Sequence, residues 1–467
     1  MIKRRTFLKQ TGMATLAVSM FALDACQSKE QKSEGTEGKT DSKDAPKERM
    51  ITELVSESLG KEMHDKALEI AKKNIKGSEA SPFFKKPYLD AAFSKNIFLW
   101  DSCFMAAYAK YFMKELPIAQ ALDNFYMVQG ADGFICREHF EDGKPYWNKQ
   151  HPVSINPPLL AFAELELYSQ SEDKDRLKMV YPKIKRNYEF LQKNYLQADG
   201  LYFADALGMG MDNVVRHPRD WKDDKKGIAY KKIDPKIDYN SLQSFWNKQG
   251  RLVDFSSQMA LLALNLKSIA GLIGQYDDLK KYETDYEALK TAINTKCWSE
   301  EDGFYFDLGY DKQIKRWHVG MYWALMAEIV PADKIDRFVF HLTDPKKFGT
   351  PVAIPTLSKD DPEYRAEGNY WLGGVWAPTT YMILRALQTA KKMDLAKKLA
   401  ASFYDSVAQT YIDTKTFWEY YSPEKRVPGS FSQDYHEEVH RGKRGRDNFC
   451  GWTALAPISI YKEFILG

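Results

Sequence analysis

The chain has 467 residues, 28% of them charged and 14% aromatic, with 11 Trp, 27 Tyr and 26 Phe. That length excludes a small disulfide scaffold, allows a large core, and leaves aromatic rings over to line a groove. The formal net charge is +3. Lys3, Arg4, Arg5 and Lys9 against Asp24 supply it, so the rest is near neutral and lacks the basic excess that a nucleic-acid partner needs.

The first residues read as an address. KRRTFLK is a twin-arginine pattern, MATLAVSMFAL is an apolar run too short to span a membrane, and LDAC ends in a lipobox-like Cys26. The expectation over 1–26 is therefore a twin-arginine lipoprotein signal of a bacterial exported protein. Acyl chains on Cys26 would hold the mature protein at a membrane without a spanning helix. Residues 27–49 are rich in Lys, Glu, Ser, Gly and Asp, and predict a disordered polar tether. One domain is expected over 50–467.

From there the apolar spacing is mostly helical. TELVSESLGKEMHDKALEIAKKNI comes first, followed by DSCFMAAYAKYFMKELPIAQALDNFYMV, PLLAFAELELYSQ and LKMVYPKIKRNYEFLQKNYL. DFSSQMALLALNLKSIAGLIGQY and DLKKYETDYEALKTAINTKCW continue the pattern. WHVGMYWALMAEIV, ADKIDRFVFHL, GVWAPTTYMILRALQTAKKM, LAKKLAASFYDSVAQTY and GWTALAPISIYKEFI complete it. The pattern gives about twelve helices in neighbouring pairs. Long irregular stretches (130–156, 203–252, 297–317, 343–370 and 411–450) separate the pairs, and loops of that length are usually functional. Six hairpins closed in a ring, an all-α (α/α)6 barrel, would put the long loops at one end and the more apolar helices inside. No fixed-period repeat supports an open solenoid. Cys103, Cys136, Cys297 and Cys450 are far apart and show no zinc-ligand spacing, which favours buried apolar thiols.

LGMGMDNVVRHPRDW, residues 207–221, places Asp212 between glycines and cations. An aspartate in such a loop can close a turn. It can also serve as an acid, because burial keeps a carboxyl protonated at working pH. A metal ion would need more oxygen ligands than the segment offers. Glycoside hydrolysis requires a second carboxylate, and TKTFWEYYSPEK supplies Glu419 beside Trp418. Glu437 and Glu438 rank lower because they stand among charges. FLWDSCF (Trp100, Asp101), DGFICREHFEDG (Arg137) and NYWLGGVWAP (Tyr370, Trp371, Trp376) mix rings with planar polar groups, as a sugar-binding groove does.

Nine segments, in order, carry a resemblance. They are WDSCF, DGFICRE, NPPLLAFAE, GMDNVVR, VDFSSQMA, EEDGFYFDL, YWLGGVWAPTTYMILRAL, FWEYYSPE and DNFCGWTALAPI. The region of about 80–465 resembles bacterial glycoside hydrolase family 63, with the related trehalase-like and mannosylglycerate hydrolase-like enzymes. The resemblance implies an (α/α)6 barrel that hydrolyses α-linked sugars with inversion and needs no cofactor. It implies Asp212 as general acid and Glu419 as general base. Asp101, Arg137, Asn213, Arg216, Gln258, Trp371 and Trp376 fall in its sugar-binding walls, and Trp100 and Trp418 flank the same segments. Val214 and Val215 depart from the small residue and proline expected after GMDN, pointing to a reshaped leaving-group subsite. The basic insertion that follows reads as a lid over the pocket. The expected partner is an oligosaccharide or other α-glycoside, α-glucoside or α-mannoside first. The alternatives are a catalytically silent glycan-capturing lipoprotein on the same fold and a polysaccharide lyase. HEEVHRGKRGR could supply the lyase its base and cations.

Overall fold

The computed structural model describes residues 57–77, 83–84, 87–91, 93–150, 152–204, 207–216, 250–309, 312–435, 437–449 and 451–467. The signal with Cys26, the tether, Cys450 and the insertion over 217–249 lie outside the described residues.

Helices dominate, as the periodicity predicts. In chain order they are α1 (Glu57–Lys73), α2 (Leu99–Ala109), α3 (Ile118–Met127), α4 (Leu160–Ser171), α5 (Lys174–Tyr195) and α6 (Val253–Ile273). Then come α7 (Leu279–Lys296), α8 (Trp323–Met326), α9 (Ile335–Phe340), α10 (Ala377–Thr389) and α11 (Met393–Thr414), and a π-wound helix closes the chain over Ala456–Ile465. Local chemistry fixes the ends. Asp173 caps α5 by accepting from the N–H groups of Asp175 and Arg176 at 3.0 and 2.9 Å, and Gly274 ends α6 with φ +81°. The long periodic run 101–128 is broken between α2 and α3, where Pro117 cannot donate to a helix.

Six of these elements form a closed ring. α2 packs on α4, α4 on α6, α6 on α8 and α8 on α10. α10 and α2 both pack on the turn Thr453–Leu455 that leads into the π-wound helix. The others lie outside: α3 on α2, α5 on α4 and α6, α7 on α6, α11 on α10, and α1 on the π-wound helix. The fold is the (α/α)6 barrel, with the apolar helices inside. Every residue of α2 is buried, and α6 is long and apolar enough to cross a membrane by composition but is mostly enclosed in the ring. A helix apolar on all sides must be covered on all sides. Four short antiparallel pairs, which the sequence reading did not anticipate, stiffen the loops. They are β1 (Ile75–Lys76) with β2 (Tyr88–Leu89), β3 (Ile97–Phe98) with β4 (Glu138–His139), β5 (Trp298–Ser299) with β6 (Phe304–Tyr305), and β7 (Leu308–Gly309) with β8 (Lys312–Gln313).

A buried charge cluster joins four ring elements. Lys110, just past α2, meets Glu166 of α4 at 2.6 Å and Glu463 of the π-wound helix at 2.9 Å. Arg385 of α10 meets Glu166 at 2.9 Å, and the Tyr381 hydroxyl donates to Glu463 at 3.0 Å. Burial works against the Glu166 charge, but Arg385 and Lys110 outweigh it and hold the carboxyl down at about 2. A depressed carboxyl stabilises the fold above its unfolded value and loses that contribution as pH falls toward the folded one. Stability should therefore decline between the ordinary glutamate range and about pH 2. Glu166→Ala leaves the buried Lys110 and the part-buried Arg385 to share Glu463, and should cost about 3–5 kcal/mol in denaturant unfolding at neutral pH. A change near zero would show that the cluster does not hold the ring.

Candidate active site

The loop 207–216 is built to present one carboxyl. Leu207–Met209 make a tight turn, and Gly210 follows at φ +82°. A Cβ on Gly210 would sit 2.9 Å from the Trp100 ring, so it is Trp100 that this glycine admits so closely. Asn156 donates to the Gly208 carbonyl at 2.7 Å and Arg137 to the Leu207 carbonyl at 2.6 Å. Val214 and Val215 are buried in the apolar core and anchor the loop there.

Asp212 emerges between these anchors with its side chain 31% exposed. Arg137 Nη2 lies 3.8 Å from one carboxyl oxygen, and the Tyr370 hydroxyl 3.5 Å from the other. Burial among low-dielectric walls pushes Asp212 up to about 6; Arg137, Tyr370 and Arg446 oppose the rise, and the nearby charge of Glu419 adds to it.

Glu419 is held differently. It is buried, and its backbone N–H donates to the Arg446 carbonyl at 2.8 Å. Arg446 returns a side-chain contact of 2.9 Å to Oε1 and a backbone N–H to Oε2 at 3.3 Å. The Trp452 indole donates to the Glu419 carbonyl at 3.1 Å. Burial raises the Glu419 carboxyl while Arg446 opposes that rise. Two carboxyls thus lie near enough to influence each other, one with a guanidinium at 3.8 Å and one clamped by a guanidinium at 2.9 Å. Glu437 and Glu438 lie on the outer strap with side chains 40% and 82% exposed.

The other predicted residues divide by what their polar atoms do. Trp100 Nε1, Asp101 Oδ1, Arg137 Nε, Trp371 Nε1 and both amide atoms of Gln258 are buried without a hydrogen-bond partner among the described residues. Such atoms are normally satisfied, so this set keeps unused hydrogen-bonding capacity. Burial pushes Asp101 well above the usual carboxylate range, and Asp90 and Asp212 add to that against Arg137. Trp418 is half-buried, bonds Thr414 through Nε1 at 3.1 Å and has the Arg444 guanidinium 5.6 Å over its ring.

Asn213, Trp376 and the two Nη atoms of Arg216 find their partners within the protein, while Arg216 Nε is buried without one among the described residues. Asn213 accepts from the Trp371 N–H at 2.6 Å and donates to the Asn369 carbonyl at 2.9 Å, tying the acid loop to the 369–371 loop. Arg216 is buried between Asp254 and Asp307, and Asp307 also meets His318 at 3.3 Å. Trp376 stacks between Trp371 at 3.9 Å and Tyr420 at 4.7 Å as a plinth beneath the mouth. Arg446 is not singled out in the sequence as a partner of Glu419, because it ends HEEVHRGKRGR, which there offers only a source of base and cations for the lyase alternative. Its signal would have been the pairing of the 416–421 segment with 444–447, invisible without coordinates.

The model for the mannosylglycerate hydrolase MGH1-like glycoside hydrolase domain matches residues 94–436. The chain is 25% identical over 372 residues to an uncharacterized protein of Borreliella burgdorferi, covering 78% of this chain and 71% of that one. It is 21% identical over 434 residues to mannosyl-oligosaccharide glucosidase of Saccharomyces cerevisiae, covering 79% of this chain but only 50% of the yeast protein. Among solved structures, the family 63 mannosylglycerate hydrolase of Thermus thermophilus in complex with glucose superposes with a TM-score of 0.65 at 20% identity, covering 86% of this chain and all of that one. With most of its length matched, the chain belongs to the mannosylglycerate hydrolase MGH1-like glycoside hydrolase family.

Proposed function

We propose that the protein hydrolyses α-linked glucosides or mannosides with inversion, using Asp212 as general acid and Glu419 as general base. The observation that carries this is the unequal pair: Asp212 lifted to about 6, and Glu419 held by Arg446 at the same mouth. The glycosidase family and the names of the relatives, a mannosyl-oligosaccharide glucosidase and a mannosylglycerate hydrolase, support the substrate class.

In the reaction, Asp212 passes its proton to the glycosidic oxygen as that bond breaks. Glu419 takes a proton from a water that attacks the anomeric carbon from the opposite face. The products are a free leaving-group hydroxyl and a sugar of inverted configuration. Asp212 ends ionised and Glu419 protonated, and exchange with solvent resets both. Asp101, Arg137, Gln258, Trp100 and Trp371 hold the sugar through their unpaired polar atoms. Trp418 lines the base side. Asn213, Arg216 and Trp376 act through the loops they hold.

Protonated Asp212 is the active form, so kcat/KM should fall as pH rises through about 6. Ionised Glu419 is required, so activity should also fall on the acid side; the limbs belong to the coupled pair. Asp212→Asn and Glu419→Gln should each lower kcat by about 10²–10⁴ on α-linked disaccharides. On an aryl α-glycoside with a good leaving group, Asp212→Asn should recover much of its loss and Glu419→Gln should not. Full activity in either variant on the disaccharides would remove that residue from the mechanism.

The export signal and Cys26 extend the proposal to a lipid-anchored protein of the periplasm or cell surface, supported by KRRTFLK and LDAC in the sequence. Intact mass of the protein from a bacterial membrane fraction should show a chain starting at an acylated Cys26. A soluble chain retaining residues 1–25 would contradict it.

A further inference from the structure

Aromatic rings run outward from the acid side of the mouth. Arg137, beside Asp212, lies 5.4 Å over the Trp147 ring. Trp147 meets Tyr146 at 5.3 Å between centroids, and Tyr146 meets Phe140 at 5.0 Å. Tyr146 is 48% exposed and Phe140 41%. Phe83, 43% exposed, lies against Gly143 at the hairpin tip, where an added Cβ would come 2.4 Å from its ring. Rings scattered singly on a surface need no explanation, but a contiguous group that begins at a catalytic mouth marks a binding surface.

The hairpin that carries these rings is rigid. β4 pairs with β3, which runs directly into α2, so the platform is fixed to a ring helix. The Phe140 N–H donates to the Lys144 carbonyl at 2.9 Å and the Tyr146 N–H to the Glu138 carbonyl at 3.0 Å. The Trp147 indole donates to Glu138 at 2.9 Å, and Glu138 also accepts from Asn96 at 2.6 Å. The rings are therefore held in water by an ordered backbone, not displayed by a loose loop. The fold gains nothing from exposing them, since burying each would be favourable.

We propose that Trp147, Tyr146 and Phe140 form leaving-group subsites for an α-linked oligosaccharide, whose sugar rings stack successively on them. This rests on the glycosidase mechanism above, which places the leaving group on the Asp212 side. Successive rings 5.0 and 5.3 Å apart, with Lys144 and Asn148 exposed on the same hairpin for hydroxyls, suit a glycan better than an apolar peptide. The enzyme then trims a terminal sugar from a chain of several units.

The test is calorimetric titration of the full chain carrying Asp212→Asn with α-linked gluco- and manno-oligosaccharides of increasing length, starting from the disaccharides. Affinity for one series should rise with each added sugar until the rings are covered. Phe140→Ala and Tyr146→Ala, made separately in that background, should each weaken the longest ligand about tenfold and flatten the dependence on length. Unchanged thermal unfolding verifies that both variants fold. Affinity that ignores length, or a length dependence that survives both substitutions, overturns the platform and leaves the mechanism standing. No binding by any sugar, disaccharides included, overturns the glycosidase proposal and the platform with it.

Discussion

Closing six helices into a ring makes its two ends chemically unequal, and the rest of the molecule follows from that. The amino termini of the ring elements gather at one end. Trp100 and Asp101 open α2, Asn156 precedes α4, Asp254 opens α6, His318 precedes α8, Trp376 precedes α10 and Trp452 precedes the last element. Helix-start N–H groups there are taken up by loop and acidic side chains: Trp100 N–H donates to Asn156 at 3.2 Å and Val253 N–H to Asp307 at 2.7 Å. The other end is drawn together by Lys110, Glu166, Arg385 and Glu463. The proposed acid and base lie at the first end, where among the described residues the 207–216 loop meets the 369–371 loop.

Electrostatic asymmetry then sets apart the two carboxyls to which the sequence resemblance assigns different roles. Asp212 has Arg137 at 3.8 Å and a tyrosine hydroxyl at 3.5 Å, both long contacts that leave burial dominant. Glu419 has a guanidinium at 2.9 Å and a backbone N–H on its other oxygen. Burial raises both carboxyls, and the cation that opposes it lies closer at Glu419 than at Asp212. The positions are secured by groups away from the reacting atoms: Asn213 bridging two loops, Arg216 locked between two aspartates, and the Trp371–Trp376–Tyr420 stack below.

The ring was legible because apolar spacing at 3.6 residues survives in almost every helix, and the loops between pairs are conspicuous for their glycines and aromatics. Where helices are short, periodicity overstated them: 317–330 and 332–342 condense to α8 and α9 of four and six residues. The two-residue strands carry too few positions for an alternating pattern to show. Site candidates with planar or aromatic side chains at loop–helix junctions could be picked out by type. Which of them hold the loops, and which keep free polar atoms, depends on partners 38 to 158 residues away, such as Asp254 for Arg216 and Trp371 for Asn213. Arg446 shows the same limit, since a cation 27 residues from Glu419 has no local signature of its task.

Inversion requires that one carboxyl protonates the leaving oxygen while the other delivers water from the opposite face. Proton NMR of the first turnovers on an α-linked substrate tests it directly, because the anomer released is fixed before mutarotation blurs it. Inversion gives the β-anomer of the released sugar as the initial product. An initial α-anomer would mean retention, a covalent intermediate, and a different role for Glu419.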